Sequence, residues 1–393
     1  MPRLVRPLAL VAAVALLLLD LAPVVAQSSM FGVRGLGLPG RPLTPRSRAT
    51  GGSFGLFDGE SNLNPAAMAN LRSVSAGFVG SPTWRSWKSP AGDASLRETR
   101  FPLLFVGGPV PGSRLGLGVS IGSYADRDFR LATADTVILA GQPEAVFETL
   151  SSLGGLSEIR FAAGLHLGDK TTIGAGVYWI TGSSRMESRR AFEDTSFISF
   201  RQTAELSYEG AGLSVGLTHQ LSPAVQLGLL LRSDGKAAVE LDSAKAYNID
   251  LPYTVSAGAQ VRASPRLTVA ASGLFRTWSS ANSDLQAQGG IGAENTLELS
   301  VGGEFARSAR RPTAFPIRAG LRYAQLPFPI RSGDQPREWS ISAGTGTRFA
   351  QDRAGVDVAL EHSWRSDGGP YKERALSLIL GLSIRPYGPG GRQ

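Results

Sequence analysis

Few residues in this chain have the type and spacing to do chemistry. The histidines are His166, His219 and His362, and cysteine is absent. Without cysteine there is no thiolate nucleophile, cysteine-held zinc, iron–sulfur cluster or disulfide. The first two histidines are expected near one end of the segments that carry them and His362 near the other. A Ser/His site or a metal cluster would therefore have to be assembled from distant ends. Asp357 and Glu361 stand four apart on an alternating segment and share a face. Paired carboxylates do acid–base work, but the plainer reading is a solvated polar surface. Gly35-Leu36-Gly37-Leu38-Pro39-Gly40 matches G-x-G-x-x-G literally. No strand precedes it and Pro39-Gly40 suits a turn, so it does not read as a nucleotide site. The chain reads as a non-enzyme with no metal and no cofactor.

The remaining charge is mostly arginine, within a formal net charge of +8. Arg185, Arg189 and Arg190 cluster in a stretch expected to be an outer loop, and Arg310 and Arg311 in an expected turn. The first cluster could pair with lipopolysaccharide phosphates, or simply be a solvated loop. Dispersed charge behind an export signal is a poor footprint for nucleic acid.

That signal is explicit. Arg3 and Arg6 precede an unbroken apolar run from Leu8 to Leu19, and Val24-Val25-Ala26 suits a signal peptidase. Residues 1–26 are expected to be removed, with Gln27 following the cut, so no lipidated cysteine is formed. No later segment approaches 18 consecutive apolar residues, which leaves a soluble exported protein or a membrane β-barrel.

From about residue 71 the apolar residues alternate. Leu376, Leu378, Leu380, Leu382 and Ile384 share one face; Leu115, Leu117, Val119 and Ile121 do the same, opposite Gly116, Gly118 and Ser120. Period two gives strands with one greasy and one small or polar face. The segments are long, and short turns alternate with long polar connections. Short turns fall near 109–113, 168–170, 221–223, 263–265, 306–316 and 351–353. Long connections fall at 185–194, 233–245, 279–294 and 331–338. This predicts an all-β fold: a transmembrane antiparallel β-barrel of about fourteen strands, greasy side outward. Strands are expected to begin near Leu71, Leu96, Arg114, Val146, Thr171, Phe197, Val225, Ala246, Arg266, Thr296, Phe315, Glu338, Ala354 and Tyr371. The stretch 125–157 reads either as strand ends or as a short helix in an outer loop. Near Glu209–Gly212 the apolar phase slips by one, which a β-bulge or the end of a strand would explain.

Residues 27–70 do not alternate. They contain Gly51-Gly52, Phe54, Asp58 and Asn64-Pro65-Ala66 just before the first strand. This resembles the start of the mature chain in the FadL-like superfamily of outer-membrane proteins. The motif match spans some twenty residues, and the layout match most of the chain. The resemblance implies a fourteen-stranded barrel with its N-terminal segment folded inside as a plug, or hatch. It further implies carriage of hydrophobic molecules, such as long-chain fatty acids or hydrocarbons, with exit through a gap in the wall. A second branch resembles PorV and serves protein secretion and surface attachment, so a secretion-system partner is the alternative. The expected organisation is a signal at 1–26, a plug at 27–70, a barrel at 71–387 in the outer membrane, and a tail at 388–393, with Tyr387 as a terminal interfacial aromatic.

Candidate ligand or plug contacts follow. Phe101-Pro102-Leu103-Leu104-Phe105-Val106 is apolar on both faces, so its inner face would meet either a ligand or the plug. The expected contact set is Phe54, Leu56, Phe57, Asn64, Pro65, Phe101, Leu103, Leu104 and Phe105. Pro102 removes one ladder hydrogen bond and suits a perturbed wall. The expected partners are outer-membrane lipid, lipopolysaccharide and the hydrophobic ligand. Glycine supplies 48 residues, many on inner faces, where they would leave room for a plug or cargo.

Overall fold

The computed structural model describes residues 29–385, apart from positions 91, 140, 195–196, 332 and 334. The expected export signal, Tyr387 and the C-terminal tail lie outside the described residues. Fourteen antiparallel strands form one closed wall. They are β1 (Ser75–Ser89), β2 (Gly92–Pro109), β3 (Leu115–Asp126), β4 (Gln142–Leu167), β5 (Thr171–Phe192), β6 (Phe200–Gln220) and β7 (Val225–Ser233). The wall continues with β8 (Tyr253–Arg262), β9 (Leu267–Arg276), β10 (Thr296–Phe305), β11 (Ile317–Gln325), β12 (Arg337–Phe349), β13 (Ala354–Ser366) and β14 (Lys372–Ile384). Each pairs with its neighbour, and β14 returns to β1, with Ile384 opposite Ala76. Closure pairs every strand with two neighbours, the condition for crossing a bilayer with strands, though the β2–β3 ladder covers only part of their length.

All but one of the expected strand starts lie within four residues of an observed one. The exception is Ala246, which belongs to an outer hairpin formed by Lys236–Leu241 and Ala244–Asp250; the wall strand starts at Tyr253. Among its described residues the stretch 125–157 holds no helix. Phe129–Leu139 is a strand that doubles back on the outer half of β4, Phe129 opposite Ser152. The arginines at 185, 189 and 190 are not in a loop either. They lie on β5, which runs far beyond the lipid belt.

The phase slip in β6 has a different cause from both of those expected, since the strand neither bulges nor ends there. The β5–β6 register is unbroken from Thr171↔His219 to Arg190↔Phe200, so there is no bulge. Even positions face inward throughout: Ser214 and Thr218 are buried low on the strand, Leu206 and Tyr208 high on it. Odd positions face outward, as at the exposed Leu213 and Val215. The surroundings change rather than the pleat. Within the bilayer the outward face is apolar because lipid surrounds it. Beyond the bilayer water surrounds it, and the inward face becomes the apolar one. There Leu206 and Tyr208 pack with Val239 and Ile249 of the outer hairpin and with Trp278 and Phe328 of the long connections. The outer mouth is thus capped by an ordinary hydrophobic core.

The glycines of the wall face a plug. A Cβ on Gly174 would stand 2.3 Å from Ala66 N, one on Gly320 2.1 Å from Thr50 C, and one on Gly216 1.9 Å from Asn64 Oδ1. Wall and plug backbones touch where these side chains are missing, so the space is taken by the plug. Gly174→Ala or Gly320→Ala should therefore displace the plug or destabilise the barrel by about 1–3 kcal/mol. Gly273→Ala, where the nearest atom is 3.6 Å away, should be neutral. Unfolding in lipid vesicles, followed by heat-modifiable gel migration, measures both.

Candidate functional site: a plugged lumen with a lateral seam

The plug folds on local rules. Thr44 caps the short helix Pro45–Ala49, its side chain accepting from Ser47 N, with Pro45 in the first turn where a missing N–H costs nothing. Asn64 and Pro65 repeat the device at the 3₁₀ turn Pro65–Asn70: Asn64 Oδ1 accepts from Ala66 N at 3.0 Å, and Nδ2 donates to Leu56 O at 2.9 Å. Asp58 gathers hydroxyls from Thr44, Ser47 and Ser61 at 2.5, 2.8 and 2.9 Å. The Asn-Pro-Ala motif and the aspartate are therefore the plug's own scaffolding.

Charge holds the plug to the wall. Arg41 and Arg48 both donate to Glu361 on β13, at 2.9 and 2.7 Å. Arg46 donates to Glu304 on β10 at 2.8 Å, and Asn62 donates to Glu158 on β4 at 2.5 Å. Ser29 donates to Glu373 on β14 at 2.8 Å. Asp357 is held apart from Glu361 by Arg318 at 2.6 Å. These two carboxylates line the lumen, but in separate arginine pairs rather than on an open solvated surface. The histidines are separate too. His166 Nε2 meets Ala69 O at 2.8 Å, His219 Nδ1 meets Thr171 Oγ1 at 2.9 Å, and His362 sits edge-on to Trp364.

The expected contact residues divide. Phe54, Leu56, Asn64, Pro65, Leu103 and Phe105 are buried. Phe101, 62% exposed, and Leu104, 45% exposed, point outward to the lipid side, because they hold the outward positions of β2. The inner face of β2 meets Met68, Val79, Ala49 and Ile379 rather than Phe54 and Leu56. Leu56 lies across the lumen, by Gly228 and Gly258 of β7 and β8. Phe57, whose ring also lies by Gly228, shares with Leu103 and Phe105 the lining of a 260 Å³ cavity toward the short-turn end, together with Arg46, Asp58 and Arg348.

The wall is irregular around Pro102. On the β1 side, Phe101 and Pro102 together stand opposite the single Gly80, since Val79 pairs with Leu103 and Ser81 with Arg100. On the β3 side, pairing runs only from Pro109↔Gly116 to Leu103↔Gly122. Above Leu103 no described residue pairs with that edge of β2. Two groups occupy the seam. The plug residues Leu38–Pro39 pair with Asp126 and Ala125 on the free edge of β3. Arg100 reaches across from β2 to Asp126, and to Asp128 at 3.0 Å, while also donating to Glu98 at 3.0 Å. An ion pair stands there in place of a backbone ladder.

Behind the seam lies a 470 Å³ cavity, lined by the outward Phe101 and Ile121 at its mouth and by Arg41, Arg48, Arg322 and Glu338 within. Seven guanidinium groups and six carboxylates line it in all. Six of the seven arginines form ion pairs; among the described residues Arg276 at the end of β9 has no carboxylate within ion-pair distance. Sequence reasoning missed this group. Its signal was the charged inner phase of β2, Glu98 and Arg100, two steps from the apolar run that drew attention. Glu361→Gln would leave Arg41 and Arg48 buried against a neutral partner, a loss of about 3 kcal/mol. Amide exchange over residues 41–52 should accelerate about a hundredfold while the wall strands keep their protection.

Comparison with known proteins adds the wider frame. The structure of a Pseudomonas aeruginosa FadL homologue superposes with TM-score 0.60 at 13% identity, covering 89% of this chain and 99% of that one. The Pseudomonas putida toluene transporter TodX gives 0.57 at 15%, covering 89% and 100%. The Ralstonia pickettii toluene transporter TbuX gives 0.54 at 15%, covering 89% and 99%. At these identities the likeness is one of fold, a fourteen-stranded β-barrel like those of the FadL-type structures. No curated protein matches the sequence. The BamG family model matches residues 8–246, from before the plug to the outer hairpin beyond β7. A match over more than half of the length, on a FadL-type barrel, means that the chain belongs to the BamG family.

Proposed function

We propose that the chain is an outer-membrane channel that passes a hydrophobic molecule bearing an anionic end, such as a long-chain carboxylate, without energy coupling of its own. The observation that carries this reading is the seam. It joins a lumen cavity to the lipid face between Phe101 and Ile121, and no backbone ladder closes it. A bare hydrocarbon would strip water from a cavity full of charge with nothing to replace it. A carboxylate head can meet the unpaired Arg276 while its tail lies against Phe101 and Ile121 in the mouth. The hydrophobic-compound transporters that share the fold support the same class of cargo.

A second reading, a non-transporting barrel that serves as partner or scaffold in secretion or surface attachment, has an observation of its own. The outer mouth is capped by a packed core and the plug is tied to the wall by buried ion pairs.

Uptake of a labelled long-chain fatty acid by a Gram-negative host lacking its own channel separates the two. The parent chain should restore uptake, and Arg276→Gln should lower it about tenfold, the worth of one charged hydrogen bond. Arg100→Gln, which unties the seam, should raise it. Parent uptake no better than the empty host, together with a protein captured by cross-linking through the outer cap, would replace the channel with the scaffold.

A further inference from the structure

Of the β5 arginines that looked suited to lipopolysaccharide, Arg185 meets Glu205 at 3.7 Å and Arg190 meets Glu148, while Arg189 stands opposite Arg201 of β6, which meets Glu187 at 2.5 Å. At the outer ends of β14, β1 and β2 the cations share one cleft. Lys372 of β14 stands directly opposite Lys88 of β1. Two like charges in one cross-strand pair repel, and the sheet gains nothing from placing them there. Arg374 lies two residues from Lys372 on the same outward face, and Arg97 of β2 lies across from Trp84, its guanidinium 5.4 Å from the ring centre. Of the acids on these three strand ends, only Asp93 lines the cleft, 3.5 Å from Lys88. Lys88, Lys372 and Arg374 with Ser86 and Ser95 line an outward-opening cleft of 360 Å³.

Height identifies what this cleft faces. Trp84 of β1, Trp364 of β13 and Trp339 of β12 point outward on neighbouring strands, Trp364 directly opposite both Trp339 and Arg374. Outward tryptophans in a barrel mark the interface girdle. Lys88 is four residues beyond Trp84 toward the outer end, about 13 Å along the strand and about 9 Å along the membrane normal at the usual tilt. That is the level of lipid headgroups.

We propose that this cleft binds the phosphate of an outer-leaflet glycolipid, whose acyl chains lie below it against Trp84 and Phe78. The occupant is a lipid rather than a free anion, because the cations open sideways toward the leaflet and stand directly over an apolar wall.

The test is titration of the full chain in detergent with diphosphorylated lipid A, with its dephosphorylated form, and with inorganic phosphate as competitor, read by native mass spectrometry. The triple variant Lys88→Ser, Lys372→Ser, Arg374→Ser should bind lipid A about a hundredfold more weakly than the parent. A variant with Arg189→Ser and Arg201→Ser should match the parent. The dephosphorylated lipid should bind the parent as weakly as lipid A binds the triple variant. All the substituted side chains are exposed, so heat-modifiable migration should be unchanged. Equal lipid A binding by the triple variant, equal binding of the dephosphorylated lipid, or displacement by inorganic phosphate would each overturn the proposal. The assay needs no uptake and stands apart from the channel reading.

Discussion

A strand in a closed wall has two faces, and the medium at each height decides what each must carry. Hydrogen-bond closure supplies the wall, since an unpaired backbone group finds no water in lipid, and where the β2–β3 ladder stops the plug residues Leu38–Pro39 and Arg100 stand in for it. Once the wall closes with fourteen strands, it encloses more space than wall side chains alone would fill. The plug answers that volume, and the inner glycines answer the plug, since Gly174, Gly216 and Gly320 let its backbone lie directly on the wall. Lipid likewise demands the greasy outer belt. Above the lipid the demand reverses, and β6 changes its apolar side without changing its pleat.

The lumen is held by charge rather than grease. Glu361 takes Arg41 and Arg48, Glu304 takes Arg46 and Arg318, and Glu338 takes Arg322 and Arg365. Desolvation offsets most of what such pairs gain, so their net stabilisation is small. They impose position instead: removing one member strands the other in a buried place, so the plug has one seat. The same chemistry serves at the seam, where Arg100 spans what the backbone leaves open. An ion pair can open and re-form without refolding the sheet, which a ladder cannot.

The wall was legible because alternation is a local signal repeated fourteen times, and turn residues bound each repeat. The plug was legible in part because Asn64, Pro65 and Asp58 act through their own neighbours. Three features were not legible, each for a stated reason. The slip in β6 looked like a bulge because one sequence cannot tell a change of pleat from a change of surroundings. Phe101 and Leu104 looked like contacts because an apolar run hides which phase faces inward; the register to β1 and β3 decides it. The charges that fill the lumen are set by pairings such as Arg48 with Glu361, some three hundred residues apart, and no local spacing reveals them.

The plug precedes every strand of the wall in the chain and yet ends up inside it. Two of its residues, Ser29 near its start and Glu60 farther along, are fastened to the last strand and to the residue just after it, Ser29 to Glu373 and Glu60 to Arg385. Both ties run to the end of the chain that closes onto β1, so the plug is stitched to the closing joint. The ladder of the closing joint is also interrupted, with Ser81 and Pro82 unpaired to β14 between Thr83 and Gly80. A plug that shifts therefore pulls on the interrupted joint that keeps the cylinder closed.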